Sequence, residues 1–96
     1  MTTTPLTKES IVYLPRGVRI KEDKVRERTV LVAPERTVAL DEIGVAILAI
    51  VDGEKTLADI VEELSAQYNA PKQEIGNDVV AFVRDLQNRG YLDVKP

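Results

Sequence analysis

The chain is 96 residues long, about the length of one small domain with a single core. Its formal net charge is −3, from 13 basic and 16 acidic side chains, which disfavours nucleic-acid binding because that function usually needs a basic face. It contains no cysteine, histidine or tryptophan, so it lacks a thiolate nucleophile, the usual neutral-pH general base and the commonest zinc ligands. We therefore predict a binding protein rather than an enzyme, with no catalytic residue, metal ligand or cofactor.

The first fifteen residues are rich in threonine and are interrupted by Pro5 and Pro15. We predict that residues 1–15 form a mobile arm and that residues 16–96 form the folded domain. Residues 11–14 are all apolar and must pack somewhere, so we hypothesise a homodimer held through the arm. The sequence has no basic start followed by an apolar run, and no stretch approaches the roughly 18 apolar residues that cross a membrane. We predict a cytoplasmic protein without membrane contact.

The segment from residue 17 to residue 40 alternates with a period of two residues. Val18 and Ile20 alternate with the charged Arg19 and Lys21, as in a half-buried strand. Two further segments are apolar and rich in β-branched residues, which favours strands. The three predicted antiparallel strands lie near residues 18–21, 29–32 and 37–40, with a charged connection at residues 22–27.

The remainder of the chain predicts three helices, near residues 42–52, 57–68 and 72–88. Apolar side chains recur along the second and third helices at the spacing of one helical face. On the second helix they are Leu57, Ile60, Val61, Leu64 and Tyr68; on the third they are Ile75, Val79, Phe82, Val83 and Leu86. The predicted fold class is α+β and winged-helix-like: a three-stranded antiparallel sheet followed by a three-helix bundle.

Signals for helix ends accompany these periods. Asp41 is a suitable N-cap for the first helix, and Gly53 suits the left-handed position after its end. Thr56 precedes the second helix, and Asp59 three residues later completes a capping-box pattern. Gly90 ends the third helix.

Two classes of binding function fit this outline. The second and third helices could form a winged helix-turn-helix that binds DNA, but Glu74 and Asp78 would then face phosphates. Peptide capture is the alternative, because the apolar stripe of the third helix widens on one flank through Gly76, Val80 and Gln87. A short unpaired strand beside that flank could accept an extended peptide. The stripe is equally explained by a third helix that is buried on two sides.

An ordered set of short motifs resembles the pyrroloquinoline quinone (PQQ) biosynthesis protein D family, PqqD. It extends over about residues 15–94 at matching spacing. Asp41 departs from the asparagine of many relatives, although both residues cap helices well. The motifs are Pro15-Arg16-Gly17-Val18-Arg19-Ile20, Leu31-Val32-Ala33-Pro34-Glu35-Arg36, Leu40-Asp41, Ala46-Ile47-Leu48, Asp52-Gly53 with Thr56, Ile60-Val61, Leu64, Asp78-Val79, Phe82, Leu86 and Gly90.

The resemblance implies a peptide chaperone of PQQ biosynthesis, a precursor-peptide recognition element. Such a protein binds the precursor peptide PqqA and presents it to the radical S-adenosylmethionine (SAM) enzyme PqqE, which performs the chemistry. The resemblance further implies that the peptide adds a strand beside the third strand and packs against the third helix. The implied peptide-binding residues are Arg36, Thr37, Val38, Ala39, Leu40, Val80, Val83, Arg84 and Gln87. A winged helix-turn-helix DNA-binding regulator remains the alternative.

Overall fold

The computed structural model describes residues 6–95 as two antiparallel sheets and three helices. The larger sheet has the strand order β2-β3-β4, and the smaller one pairs β1 with β5. The elements in chain order are β1 (Val12–Tyr13), β2 (Arg19–Asp23), β3 (Arg28–Ala33), β4 (Arg36–Ala39), α1 (Glu42–Ile50), α2 (Leu57–Tyr68), α3 (Lys72–Asn88) and β5 (Asp93–Val94). The predicted three-stranded sheet followed by three helices is confirmed.

The helix ends follow the capping signals of the sequence. Asp41 accepts a backbone N–H from the first turn of α1 at 2.8 Å, and Thr56 and Asp59 form a complete capping box at the start of α2. Gly53 and Gly90 have φ angles of +81° and +83°, the left-handed conformation that glycine adopts most readily. These four expectations are confirmed.

The core lies between one face of the larger sheet and the three helices. The predicted stripes of α2 and α3 are largely buried, but Tyr68 is 38% exposed. Tyr68 lies one turn beyond the buried Leu64, at the last residue of α2. Among residues 6–95, no helix combines the length and apolar character needed to cross a membrane. The buried cluster comprises Val12, Leu31, Ile47, Leu48, Leu57, Ile60, Leu64, Ile75, Val79, Val83, Leu86, Tyr91, Leu92 and Val94.

The smaller sheet joins the two ends of the described chain. Val12 lies opposite Val94, and Tyr13 lies opposite Asp93. Val12 is 0% exposed and belongs to the core. The Tyr13 hydroxyl donates to the Asp93 carboxylate at 3.3 Å, and partial desolvation together with this carboxylate raises the pKa of Tyr13. Residues 93–94 are therefore a paired strand at the C-terminal end of the described residues.

The N-terminal segment also accepts hydrogen bonds from the free N–H groups at the start of α2. The carbonyl oxygens of Lys8 and Ser10 accept the N–H groups of Ala58 and Leu57 at 3.0 and 2.9 Å, groups that have no partner within a helix. Residues 8–14 thus join the fold of a single chain, where the sequence alone predicted a mobile arm. Residues 1–5 of that arm lie outside the described residues. The homodimer stays a prediction, although the apolar segment that prompted it packs on its own chain.

Candidate functional site

The strand β4 has an outer edge that pairs with no other strand among residues 6–95. The N–H of Leu40 donates to the carbonyl of Thr29 in β3 at 3.0 Å. Alternate residues of an antiparallel strand direct their N–H and C=O groups towards the same neighbour, so Val38 faces β3 as Leu40 does. The backbone groups of Thr37 and Ala39 point away from β3. They can pair with an added strand.

A shallow groove runs between β4 and the side of α3 that faces it, with a cavity volume of about 200 Å³. Its floor is apolar, because Leu86 is 2% exposed and both Val38 and Leu40 pack partly buried on the core. The lining residues are Val38, Ala39, Leu40, Asp41, Phe82, Asp85, Leu86 and Arg89. The site therefore combines unpaired backbone groups with an apolar floor, as β-strand addition of a peptide requires.

Phe82 forms the aromatic wall of this groove and rests directly on the backbone of α1. A Cβ atom at Gly44 would lie 2.8 Å from the ring carbon Cε1 of Phe82 and 3.0 Å from Oδ1 of Asp41. The separation from the Phe82 ring is shorter than a real Cβ atom tolerates, so this contact depends on glycine. The ring remains only partly buried and is available to a bound chain.

The guanidinium groups of Arg36 and Arg89 stack on Tyr91, at the end of the groove away from Phe82. The Cζ atoms of Arg36 and Arg89 lie 4.8 and 5.6 Å from the centroid of the Tyr91 ring, within the range of cation–π attraction. Arg36 also donates to the backbone carbonyl of Arg89, one of the free carbonyls at the C-terminal end of α3. The start of β4 is thereby tied to the end of α3, which sets the spacing of the two groove walls.

The structure brings all five predicted strand residues to the groove or its edge. Val38, Ala39 and Leu40 line it, and Arg36 lies at one end. Thr37 directs its backbone groups outward beside Ala39. Its side chain is exposed.

The predicted helix residues do not line the groove. Val80 and Arg84 each lie about 160° around α3 from Phe82, and Gln87 lies about 140° away, at about 100° per residue. Val83 is 0% exposed and packs in the core. The candidate helix wall is therefore formed by the other flank of α3, with Phe82, Asp85, Leu86 and Arg89.

A larger cavity of about 690 Å³ lies on the opposite flank of α3. It explains the wide apolar stripe, because Val80 and Gly76 face the N-terminal segment there instead of β4. The lining residues are Leu6, Thr7, Lys8, Leu57, Ala58, Val61, Glu62, Lys72, Gln73, Gly76, Asn77 and Val80.

The sequence analysis missed five of the residues that line the groove, namely Asp41, Phe82, Asp85, Leu86 and Arg89, as parts of a site. It assigned Phe82 to the core face of α3 and Asp41 only to capping. The available signal was the i, i+3, i+4, i+7 spacing from Phe82 to Arg89, which places these α3 residues on one flank.

Residues 28–92 match the family model for coenzyme PQQ synthesis protein D (PqqD). The chain is also 47% identical, over 85 residues, to the PqqA binding protein of Rhizobium meliloti (strain 1021), a match that covers 88% of this chain and 87% of that protein. The chain belongs to the PqqD family. The resemblance inferred from the sequence motifs is confirmed.

Two solved PqqD structures share the fold. The solution NMR structure of the PqqD truncation of Methylobacterium extorquens PqqCD, a ribosomally synthesized and post-translationally modified peptide (RiPP) recognition element, superposes with a TM-score of 0.81 at 38% identity, covering 94% of this chain and 96% of that one. The crystal structure of PqqD from Xanthomonas campestris gives a TM-score of 0.57 at 34% identity, covering 91% and 97%. Both likenesses extend over nearly the whole chain.

Proposed function

We propose that this chain binds the precursor peptide PqqA as an added strand along β4 and presents it to the radical SAM enzyme PqqE in the cytoplasm. The observation that carries the proposal is the pair of outward-facing backbone positions, Thr37 and Ala39, beside the groove between β4 and α3. The relative from Rhizobium meliloti is a PqqA binding protein, which supports the choice of peptide. In this proposal the bond-forming chemistry belongs to PqqE.

Both parts of the site are needed for useful affinity. Thr37 and Ala39 offer four backbone hydrogen bonds, and each contributes a net ~1 kcal/mol. That sum falls short of the roughly 8 kcal/mol of a micromolar complex, before any ordering cost of the peptide. Apolar side chains of the peptide must therefore be buried against Leu40 and Phe82, where the aromatic wall meets the floor.

Amide chemical-shift mapping tests the binding mode. Synthetic PqqA is added to the isotopically labelled chain, and duplex DNA is added to a second sample. We expect peptide-induced shifts centred on Thr37, Ala39 and Phe82, and no change with DNA. Shifts centred on Val80, beside the larger cavity, would contradict the proposed groove, and specific shifts with DNA alone would favour the DNA-binding alternative.

Presentation to PqqE is tested separately by following the modification of PqqA in a reconstituted reaction. We expect product formation to require this chain and to fall when Ala39 is replaced by proline, which blocks strand addition. An Ala39→Val variant keeps the N–H group and is the matched control. Equal product formation without the chain would contradict the presentation step while leaving peptide binding intact.

A further inference from the structure

The end of the groove at Arg36 carries uncompensated positive charge. Arg89 pairs with Asp85, with Nη1 3.3 Å from Oδ2. Among residues 6–95, no carboxylate lies within 4.0 Å of the guanidinium of Arg36. Two cations and one anion therefore share this end of the groove, and Arg36 is exposed to any chain that enters.

The guanidinium of Arg36 is held in place before any ligand arrives. It stacks on the nearly buried ring of Tyr91 and donates through Nη2 to the carbonyl of Arg89. A guanidinium has five N–H donors in a rigid fork, so this single bond leaves donors for a carboxylate. Because the side chain is already ordered, binding an anion costs less conformational entropy than at a free arginine.

Arg36 shares one face of β4 with the apolar part of the groove. Val38 lies opposite the core residue Leu31, and alternate residues of a strand project to the same face, so Arg36, Val38 and Leu40 form one row. At about 3.3 Å per residue the row is roughly 13 Å long. A strand added to β4 continues the sheet, and its own alternate side chains meet this row.

Backbone pairing alone does not fix where the peptide sits. A strand can slip by two residues and keep both its hydrogen bonds and the faces of its side chains. Apolar contacts at Leu40 and Phe82 discriminate weakly among apolar residues of similar size. A charged contact at a fixed distance from the apolar contact removes this ambiguity.

We infer that Arg36 binds an acidic side chain of the bound peptide and so sets its register. The acidic residue lies two or four positions away, along the peptide, from an apolar residue seated at Leu40 and Phe82. This inference rests on the proposed function and assigns Arg36 a direct ligand contact as well as its tie to α3.

The test is a double-mutant cycle between the chain and synthetic PqqA. Each acidic residue of the peptide is replaced singly by its amide, one further peptide carries an amidated C-terminus, and dissociation constants are measured with the parent chain and with Arg36→Gln. We expect one side-chain substitution to weaken binding to the parent by about threefold to tenfold. The same substitution should have no effect with Arg36→Gln.

Arg28→Gln, at the exposed start of β3, is the matched control and should bind every peptide as the parent does. If Arg36→Gln unfolds, the salt dependence of the dissociation constant is measured with the parent chain instead of the cycle. The peptide that carries the critical amide should then show a shallower salt dependence than unmodified PqqA. The inference is overturned if no side-chain amide weakens binding, if each weakens both chains equally, or if only the amidated C-terminus does so. Failure of the parent chain to bind PqqA at all would instead overturn the proposed function, and this inference with it.

Discussion

At Gly44 the absence of a side chain determines how closely α3 approaches α1. The ring of Phe82 occupies the space that a Cβ atom would need, and the same ring forms the wall of the groove. Gly76, within α3, has no such role, because the nearest atom to a Cβ there is Cγ1 of Val61 at 3.9 Å. The two helical glycines therefore differ in what an alanine would do.

We expect Gly44→Ala to lower the free energy of unfolding by about 1 kcal/mol. Overpacking costs roughly 1–3 kcal/mol and outweighs the gain of about 1 kcal/mol from replacing glycine in a helix. It should also weaken PqqA binding, because Phe82 must move. Gly76→Ala is the control and should stabilise the chain by about 0.5–1 kcal/mol. Urea unfolding measures both, and a Gly44→Ala chain as stable as Gly76→Ala would contradict the tight contact.

The carboxylate of Asp52 stabilises the turn between α1 and α2 in a pH-dependent way. It accepts the backbone N–H groups of Lys55 and Glu54 at 2.8 and 2.9 Å, and these bonds hold the pKa of Asp52 below its ordinary value of 3.8. The folded state therefore binds fewer protons at this group than the unfolded state. Its contribution to stability is complete above pH 3.8 and is lost as the pH falls through the lowered pKa.

We expect Asp52→Asn, which can keep the hydrogen bonds without titrating, to lose less stability in acid than the parent. Urea unfolding over a series of pH values measures this. The stability difference between the two chains should narrow as the pH falls below 3.8. Glu54→Gln controls for the loss of one negative charge, and a difference that stays constant across the series would show that Asp52 does not contribute through its charge.

Among the elements, β4 has two kinds of backbone position, and proline substitutions distinguish them. We expect Ala39→Pro to fold normally and to weaken PqqA binding by at least about fivefold, since it removes an outward donor and obstructs pairing. Val38→Pro should instead lower the free energy of unfolding by about 2 kcal/mol or more, because its N–H faces β3. Thermal unfolding and titration calorimetry separate the outcomes. Unchanged binding by a folded Ala39→Pro chain would exclude strand addition along β4.

The helix ends could be predicted from the sequence because each cap and its partner lie within three residues. Asp41 caps an N–H of Gly44, and Thr56 and Asp59 cap each other. Such contacts depend only on local conformation. The strand β4 could likewise be predicted from its apolar, β-branched residues.

The groove flank of α3 could not be predicted in the same way. Periodicity gives the angle of each side chain around the helix axis, but it does not give the direction in which the neighbouring sheet lies. The stripe widens towards Val80, and the family resemblance implied that the peptide packs there. The widening instead faces Leu6 and the start of α2 across the larger cavity. Only the packing of α3 against β4 shows that Phe82 and Arg89 lie on the flank that faces the groove.

At the scale of the whole molecule, residues distant in sequence complete the core. Tyr13 and Asp93 are 80 positions apart, and two-residue strands carry no periodicity that would predict their pairing. The N-terminal segment nevertheless supplies a fully buried side chain, Val12. The stability of the domain therefore depends on a segment that composition marks as a tail.

We expect Val12→Ala to lower the free energy of unfolding by ~2 kcal/mol, the cost of removing buried methyl groups from a packed site. Val25 is 93% exposed at the tip of the β2–β3 turn, and Val25→Ala is the matched control, with an expected change within about 0.5 kcal/mol. Urea unfolding measures both variants. Equal free energies of unfolding for the two variants would show that residues 11–14 do not pack on their own chain in solution. A loss of stability in Val12→Ala alone that depends on protein concentration would point to the dimer.

The pairing of β1 with β5 also makes the domain suitable for circular permutation. Val12 and Val94 lie opposite each other, so a linker from residue 95 to residue 6 closes the chain into a ring and keeps the Lys8 carbonyl at the start of α2. New termini can then be opened at the β2–β3 turn, where Val25 is almost fully exposed and few contacts are lost. In that permutant β2 becomes the last strand, while residues 36–89, which build the groove, remain one uninterrupted stretch. A partner protein fused to the new C-terminus would therefore lie beside β2, at the edge of the sheet away from β4.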